Sequence, residues 1–177
     1  MVTRRQFIKT GLAGIAVLVT VRAVYGPFSD DAKPLIDDYH FVFLSEEQRV
    51  ALGAIASVAL AGALPSDASA YQKALKDVLR GLDVAISGFL PGVQKEVRQL
   101  LDLLTFPPTR RLVAGVRSSW ADAKHEDIEG FLNRWANSRF DLLQVAYQAL
   151  RQLIVAAWYG NADSWNRIGY AGPPNLP

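Results

Sequence analysis

Beyond residue 44 the apolar positions recur every three or four residues, and no segment alternates with the period of two that a strand requires. Ser45-Glu46-Glu47-Gln48 is a capping box: Ser45 stands as N-cap, Gln48 at the third helical position, and Leu44 where a hydrophobic staple would begin. The helix it opens is predicted to run to about Leu64 and to stop at Pro65. After Arg49 it carries no charge for fifteen residues, mostly Ala, Gly, Val, Leu and Ile. That run is short for a membrane span and is interrupted by Gly53, Ser57 and Gly62. It reads as a buried central helix whose small residues let neighbours approach closely.

A second helix is predicted over 71–89, with Leu75, Val78, Leu79, Leu82, Ile86 and Phe89 on one face and Lys73, Lys76, Asp77, Arg80 and Asp83 outside. Pro91-Gly92 punctuates, and a third helix to Thr105 presents Val93, Val97, Leu100, Leu101 and Leu104 before Phe106-Pro107-Pro108 ends it. A shorter segment over 109–120 contains Arg110-Arg111, read as a solvated face. Residues 126–136 are amphipathic through Ile128, Phe131, Leu132 and Trp135. Ser138 then reads as the N-cap of the longest helix, 139–159, which stops at Gly160. The expected fold is all-α, a single domain over 45–177 with about six helices and an aromatic tail.

In that last helix Asp141, Gln144, Gln148, Arg151 and Gln152 fall within a stripe about 100° wide, and the other positions are apolar. From Leu153 to Tyr159 no polar face remains. Such a helix is expected to be covered on nearly all sides, either at the centre of the bundle or by another protein over its last two turns. Trp158, Tyr159, Trp165, Ile168 and Tyr170 follow in a short span. Tryptophan and tyrosine are enriched at interface hot spots, which makes these five the candidate docking residues.

The N-terminus has a different pattern. Thr3-Arg4-Arg5-Gln6-Phe7-Ile8-Lys9 is followed by an uncharged stretch from Thr10 to Val21, too short to span a bilayer and tempered by glycine and threonine. A hydroxyl residue, two arginines, any residue, Phe, an aliphatic and Lys make the consensus of a twin-arginine export signal, carried by Arg4, Arg5, Phe7 and Lys9. The signal is assigned to residues 1–25. Val21-Arg22-Ala23 and Val24-Tyr25-Gly26 both offer cleavage-type spacing, and a leader that stays attached as a membrane tether is the alternative. Residues 26–44, with Gly26-Pro27, Asp30-Asp31, Lys33-Pro34 and Asp37-Asp38, read as an extended linker ending in the apolar run Phe41-Val42-Phe43-Leu44.

This division changes how the charge is read. The chain has 19 basic and 17 acidic residues, but Arg4, Arg5, Lys9 and Arg22 lie in the leader and no acidic residue precedes Asp30. The remainder holds 15 basic against 17 acidic residues, a balance that argues against nucleic-acid binding. There is no cysteine, which excludes disulfides, thiolate metal sites, iron–sulfur clusters and covalent haem. His40 and His125 are the only histidines and have no third ligand nearby in sequence, so no metal or cofactor is expected in this chain. No phosphate-binding glycine loop, Gly-x-Ser-x-Gly turn or histidine beside a nucleophile occurs. Asp122, Glu126, Asp127 and Glu129 cluster at a helix start, where carboxylates favour the macrodipole. Nothing in the sequence signals an enzyme. The twin-arginine route carries folded cargo, and in the absence of a cofactor site a bound partner is the reason that remains.

Two blocks resemble the small subunit of membrane-associated flavin dehydrogenases, of the gluconate 2-dehydrogenase subunit 3 type. One runs from Phe43-Leu44-Ser45-Glu46-Glu47-Gln48-Arg49 to Leu64-Pro65 and is similar to that family's capped first helix. The other runs from Leu150-Arg151-Gln152-Leu153 through Trp158-Tyr159-Gly160-Asn161 to Trp165-Asn166-Arg167-Ile168-Gly169-Tyr170-Ala171-Gly172-Pro173, similar to the family's Trp-x-x-Ile-Gly-Tyr-x-Gly close. Ala171 stands where that family has proline, and residues 66–120 carry no part of the likeness. The resemblance implies a non-catalytic subunit that escorts a leaderless flavoprotein of the glucose–methanol–choline type through the twin-arginine translocase and remains bound to it. FAD would sit in that partner, which oxidises a sugar, sugar acid or alcohol, often with a cytochrome c subunit as electron acceptor. The implied location is periplasmic. A free-standing binding protein with a ligand among Trp120, Trp135 and Trp158, or a tethered scaffold, are the alternative readings; a pocket between helices would distinguish the first.

Overall fold

The structure, a computed structural model, describes residues 39–165, and these form an all-α domain without a strand. The export-signal residues Arg4, Arg5, Phe7 and Lys9, and the tail residues Ile168 and Tyr170, lie outside the described residues.

Helix α1 (Glu46–Ala59) opens with the expected capping box. The Gln48 N–H donates to Ser45 Oγ at 3.3 Å, and the Ser45 N–H donates to Gln48 Oε1 at 3.2 Å. Leu44 is buried, but the fourth helical position is Arg49, so the staple has no apolar partner there. The helix ends five residues earlier than the uncharged run suggests. The chain leaves it through a turn in which Gly62 takes φ +83°, a conformation that favours glycine. Ala51, Leu52, Ile55 and Ala56 are almost fully buried, and α1 packs against four other helices as the centre of the bundle. No helix among the described residues is long and apolar enough to cross a membrane.

Helix α2 (Ala68–Ser87) is capped by Asp67, whose carboxylate accepts the Ala70 N–H at 2.8 Å. Helix α3 (Pro91–Thr105) starts with proline at its first position, where the missing N–H costs no intrahelical bond. The Gln94 amide donates to the carbonyls of Ser87 and Phe89, both at 2.9 Å, and closes the α2–α3 corner. The diproline opens the single turn α4 (Pro107–Thr109), which is followed by a π-helical turn (Arg110–Ala114) and Gly115 at φ +70°. Arg111 is exposed as expected, but Arg110, expected on the same solvated face, is buried at the start of the π-helical turn. Helix α5 (His125–Ala136) buries Ile128, Phe131 and Trp135.

The longest helix, α6 (Asp141–Tyr159), begins two residues later than the pattern suggests, and Ser138 is not its N-cap. The Ser138 hydroxyl accepts the Phe140 N–H at 3.1 Å, and the Ser138 carbonyl accepts from the Gln144 amide, so the residue shapes the turn before the helix. A final single turn, α7 (Ala162–Trp165), packs back on the end of α6. Helices α2 and α6 approach closely at Gly81. A Cβ placed on Gly81 would lie 3.3 Å from the Ala157 Cβ, so the absence of a side chain at 81 sets the approach.

The segment in front of α1 is held by a residue expected on the solvent face. Asp83 is fully buried. Its Oδ1 accepts the N–H groups of Phe43 and Leu44, both at 2.8 Å, and its Oδ2 accepts the Val42 N–H at 2.9 Å and the Tyr39 hydroxyl at 3.4 Å. A buried carboxylate is tolerated only when its lone pairs are met in this way. Burial, with the Asp83 charge and hydrogen bond, raises the Tyr39 hydroxyl pKa above its ordinary value.

Candidate partner-docking surface

Helix α6 ends at Gly160, whose N–H donates to the Ala156 carbonyl at 2.8 Å. Asn161 then turns the chain. Its Oδ1 accepts the Asp163 N–H at 3.0 Å, its carbonyl accepts the Ser164 hydroxyl at 2.7 Å, and its amide donates to Asp77 of α2 at 3.3 Å. Lys73 of α2 bridges Asp77, at 3.1 Å, and Asp163. The hydrogen bond to Asp163, then that to Asp77, raises the Lys73 pKa. These contacts fasten the turn to α2 and leave Ser164 fully buried. The Trp165 indole N–H donates to the Tyr159 carbonyl at 2.7 Å, which fixes the tryptophan over the last turn of α6.

The five candidate docking residues therefore separate. Trp158 is only 4% exposed and belongs to this chain's own core, so it is withdrawn from the docking set. Tyr159 is 45% exposed, and Trp165 is half-buried beside it. Ile168 and Tyr170 continue the chain beyond the described residues.

The reading of α6 as the centre of the bundle is corrected, because this chain leaves one side of it uncovered. Leu150, Ile154, Ala157 and Trp158 face the bundle, whereas Leu142 and Val145 are more than half exposed and Ala156 is exposed. At 100° per residue Leu142, Val145, Ala149, Ala156 and Tyr159 lie within one sector about 100° wide, overlapping the polar stripe at Gln152. Phe140, 58% exposed, sits at its start. The outer face of α6 is a mixed apolar strip ending at Tyr159 and Trp165.

Of the three tryptophans named as a ligand site, Trp120 and Trp135 form a packed cluster instead, and Trp158 is buried in the core. Trp120 and Trp135 each meet Phe131 edge to face, with ring centroids 5.8 and 4.8 Å apart. Their indole N–H groups donate to the carbonyls of Leu104 (2.8 Å) and Val113 (3.1 Å), the internal satisfaction a buried tryptophan needs. A cavity between α1, α5 and α6, lined by Ile55, Leu132, Tyr147, Leu150, Arg151 and Ile154 among others, has a volume of about 70 Å³. Small-molecule sites usually occupy roughly 300 Å³ or more. His40 and His125 are exposed, and no group of metal-ligating side chains occurs among the described residues. The carboxylates of Glu126 and Asp127 lie in the first turn of α5. No protein family, characterised protein or solved structure matches this chain.

Proposed function

We propose that this chain is the non-catalytic small subunit that escorts a leaderless FAD-dependent dehydrogenase of the glucose–methanol–choline type through the twin-arginine pathway, and stays bound to it in the periplasm. The observation that carries the reading is the run Thr3-Arg4-Arg5-Gln6-Phe7-Ile8-Lys9 ahead of an uncharged stretch, on a chain whose body is a packed helical domain. A folded-export signal suits a cargo that must bind its partner before it crosses the membrane.

The exposed Tyr159 and the half-buried Trp165 support a docking role for the end of α6, because both present aromatic surface there and the Trp165 indole is anchored to the Tyr159 carbonyl. Anchored aromatics lose little conformational freedom on binding. The similarity of 150–173 to the close of the gluconate 2-dehydrogenase small subunits gives the partner its class: a flavoprotein that holds FAD and oxidises a sugar, sugar acid or alcohol, with a cytochrome c subunit as a further member.

The test is the double substitution Arg4→Lys/Arg5→Lys. A lysine point charge does not reproduce the planar guanidinium fork, so export is expected to fail and the protein to collect in the cytoplasm. Unchanged export on fractionation removes the leader from the account.

A further inference from the structure

The six residues before α1 are fastened to the domain more elaborately than a linker requires. Residues 39–44 run with Tyr39, Phe41 and Phe43 toward the bundle and His40 and Val42 toward solvent. Each inward ring lies under a guanidinium from a different helix: Arg80 of α2 over Tyr39 at 5.8 Å, Arg49 of α1 over Phe41 at 4.6 Å, and Arg98 of α3 over Phe43 at 4.1 Å. The Tyr39 and Phe41 rings meet edge to face at 4.8 Å. Underneath, the Asp83 carboxylate gathers three consecutive backbone N–H groups, from residues 42, 43 and 44.

This arrangement exists only when three helices are in place. Asp83 is fully buried on α2, and the stacked arginines come from α1, α2 and α3, so no single helix presents the whole seat. Hydrogen bonds from backbone N–H groups to a carboxylate are of the stronger, charge-assisted kind, and they form only once the acceptor is preorganised. The fastened segment is also the last stretch of the sequence-predicted linker, 26–44, that joins the leader to the domain.

We propose that residues 39–44 are a strap with Asp83 as its clasp, and that the strap makes the attachment of the leader depend on completed folding of α1–α3. On a finished domain the chain bearing the signal leaves from one fixed point. On an unfinished one residues 39–44 are loose, and the signal is joined to a longer free chain. The clasp stands on the geometry alone; its effect on export rests on the leader reading proposed above.

The experiment uses the full chain, with amide hydrogen exchange and fractionation measured on the same variants. In the wild type the amides of Val42, Phe43 and Leu44 are expected to exchange slowly. In Asp83→Ala their protection should fall by about ten- to a hundredfold, the range that loss of a charge-assisted hydrogen bond implies. Amides in the second half of α6 should keep theirs, and export should drop. Because Asp83→Ala could unfold α2, Val42→Pro supplies a second route. It deletes one donor from an exposed position and leaves α2 untouched, and it should lower both protection at 43 and 44 and export. Fast exchange at 42–44 in the wild type, or undiminished protection in Asp83→Ala, overturns the clasp. Lost protection with wild-type export overturns the coupling. If Arg4→Lys/Arg5→Lys is exported normally, the leader reading and the coupling fail together, while the exchange data still decide the clasp.

Discussion

The α2–α6 crossing gives the sharpest test of the packing that positions the candidate docking end, because Ala157 directly precedes Trp158 and Tyr159. A Cβ at Gly81 would stand 3.3 Å from the Ala157 Cβ and 3.4 Å from the Ala157 carbonyl oxygen. For Gly81→Ala two terms nearly cancel. Helix propensity favours alanine by about 1 kcal/mol, and the tight contact requires the helices to shift by a few tenths of an ångström. The net change should fall within about 1 kcal/mol of zero. Gly81→Val regains only part of the propensity and adds two further methyl groups at a contact with no room for them. Overpacking of this kind costs about 1–3 kcal/mol, which for a chain of this size lowers the melting temperature by roughly 2–4 °C per kcal/mol. Urea unfolding followed by tryptophan fluorescence measures both variants. Combining Gly81→Val with Ala157→Gly should recover part of the loss, a coupling of about 0.5 kcal/mol or more. If Gly81→Val is as stable as the wild type, or the two substitutions add without coupling, the helices do not approach at this point.

Three further outcomes are expected. Gly115→Ala should destabilise by about 2 kcal/mol, since its φ of +70° disfavours a side chain and the new Cβ would fall 2.6 Å from Arg134 Nη2, which donates to the Ala114 carbonyl. Gly62→Ala, at φ +83° with open space around it, should cost only the backbone strain; equal losses would mean that Arg134 plays no part. The Asp67 carboxyl is held below the usual carboxylate range, first by the Ala70 N–H and then by Ser69. Its contribution is therefore complete above the unfolded pKa of about 3.9 and is lost as pH falls through the lower folded value. The wild type should lose more melting temperature than Asp67→Ala between pH 5 and 3, and parallel curves would contradict the cap. Tyr159→Ala and Trp165→Ala should weaken capture of the flavoprotein by about 2 kcal/mol or more at a hot spot while leaving the melting temperature nearly unchanged. Early melting with normal capture would return these residues to the core.

The helices and their inward faces were readable because caps and periodicity are local. The Ser45–Gln48 box, the Leu75–Ile86 face of α2 and the Ile128–Trp135 face of α5 all follow from spacing. Two of the differences, at Asp83 and on α6, share one cause: burial depends on what a neighbouring element covers, which periodicity does not encode. Asp83 lies at the edge of the apolar sector of α2, and its charge suggested solvent; only the unpaired N–H groups of the Phe41–Leu44 run call for an acceptor there. On α6 the absence of a polar face points equally to the bundle centre and to coverage by another protein; Val145 and Ala156 are exposed because α2 and α5 cover only one side, which rules out the bundle centre. Arg110 is buried beside the exposed Arg111, where the single turn α4 passes into a π-helical turn that no α-helical spacing predicts. The early end of α1 reflects a turn closed around Gly62, for which Pro65 is a late marker.

A chain that carries a flavoprotein across the membrane and remains bound to it, as proposed, should be recovered with that flavoprotein. The direct measurement is to isolate the tagged full chain from the periplasmic fraction and record its absorbance near 450 nm together with sugar- or alcohol-dependent dye reduction. Isolated from its native cells, the chain is expected to bring with it a leaderless polypeptide bearing FAD in near-equal amount, and Arg4→Lys/Arg5→Lys should leave both polypeptides in the cytoplasm. A chain that reaches the periplasm alone, without flavin or activity, or a flavoprotein that is exported when the signal is disabled, contradicts the claim.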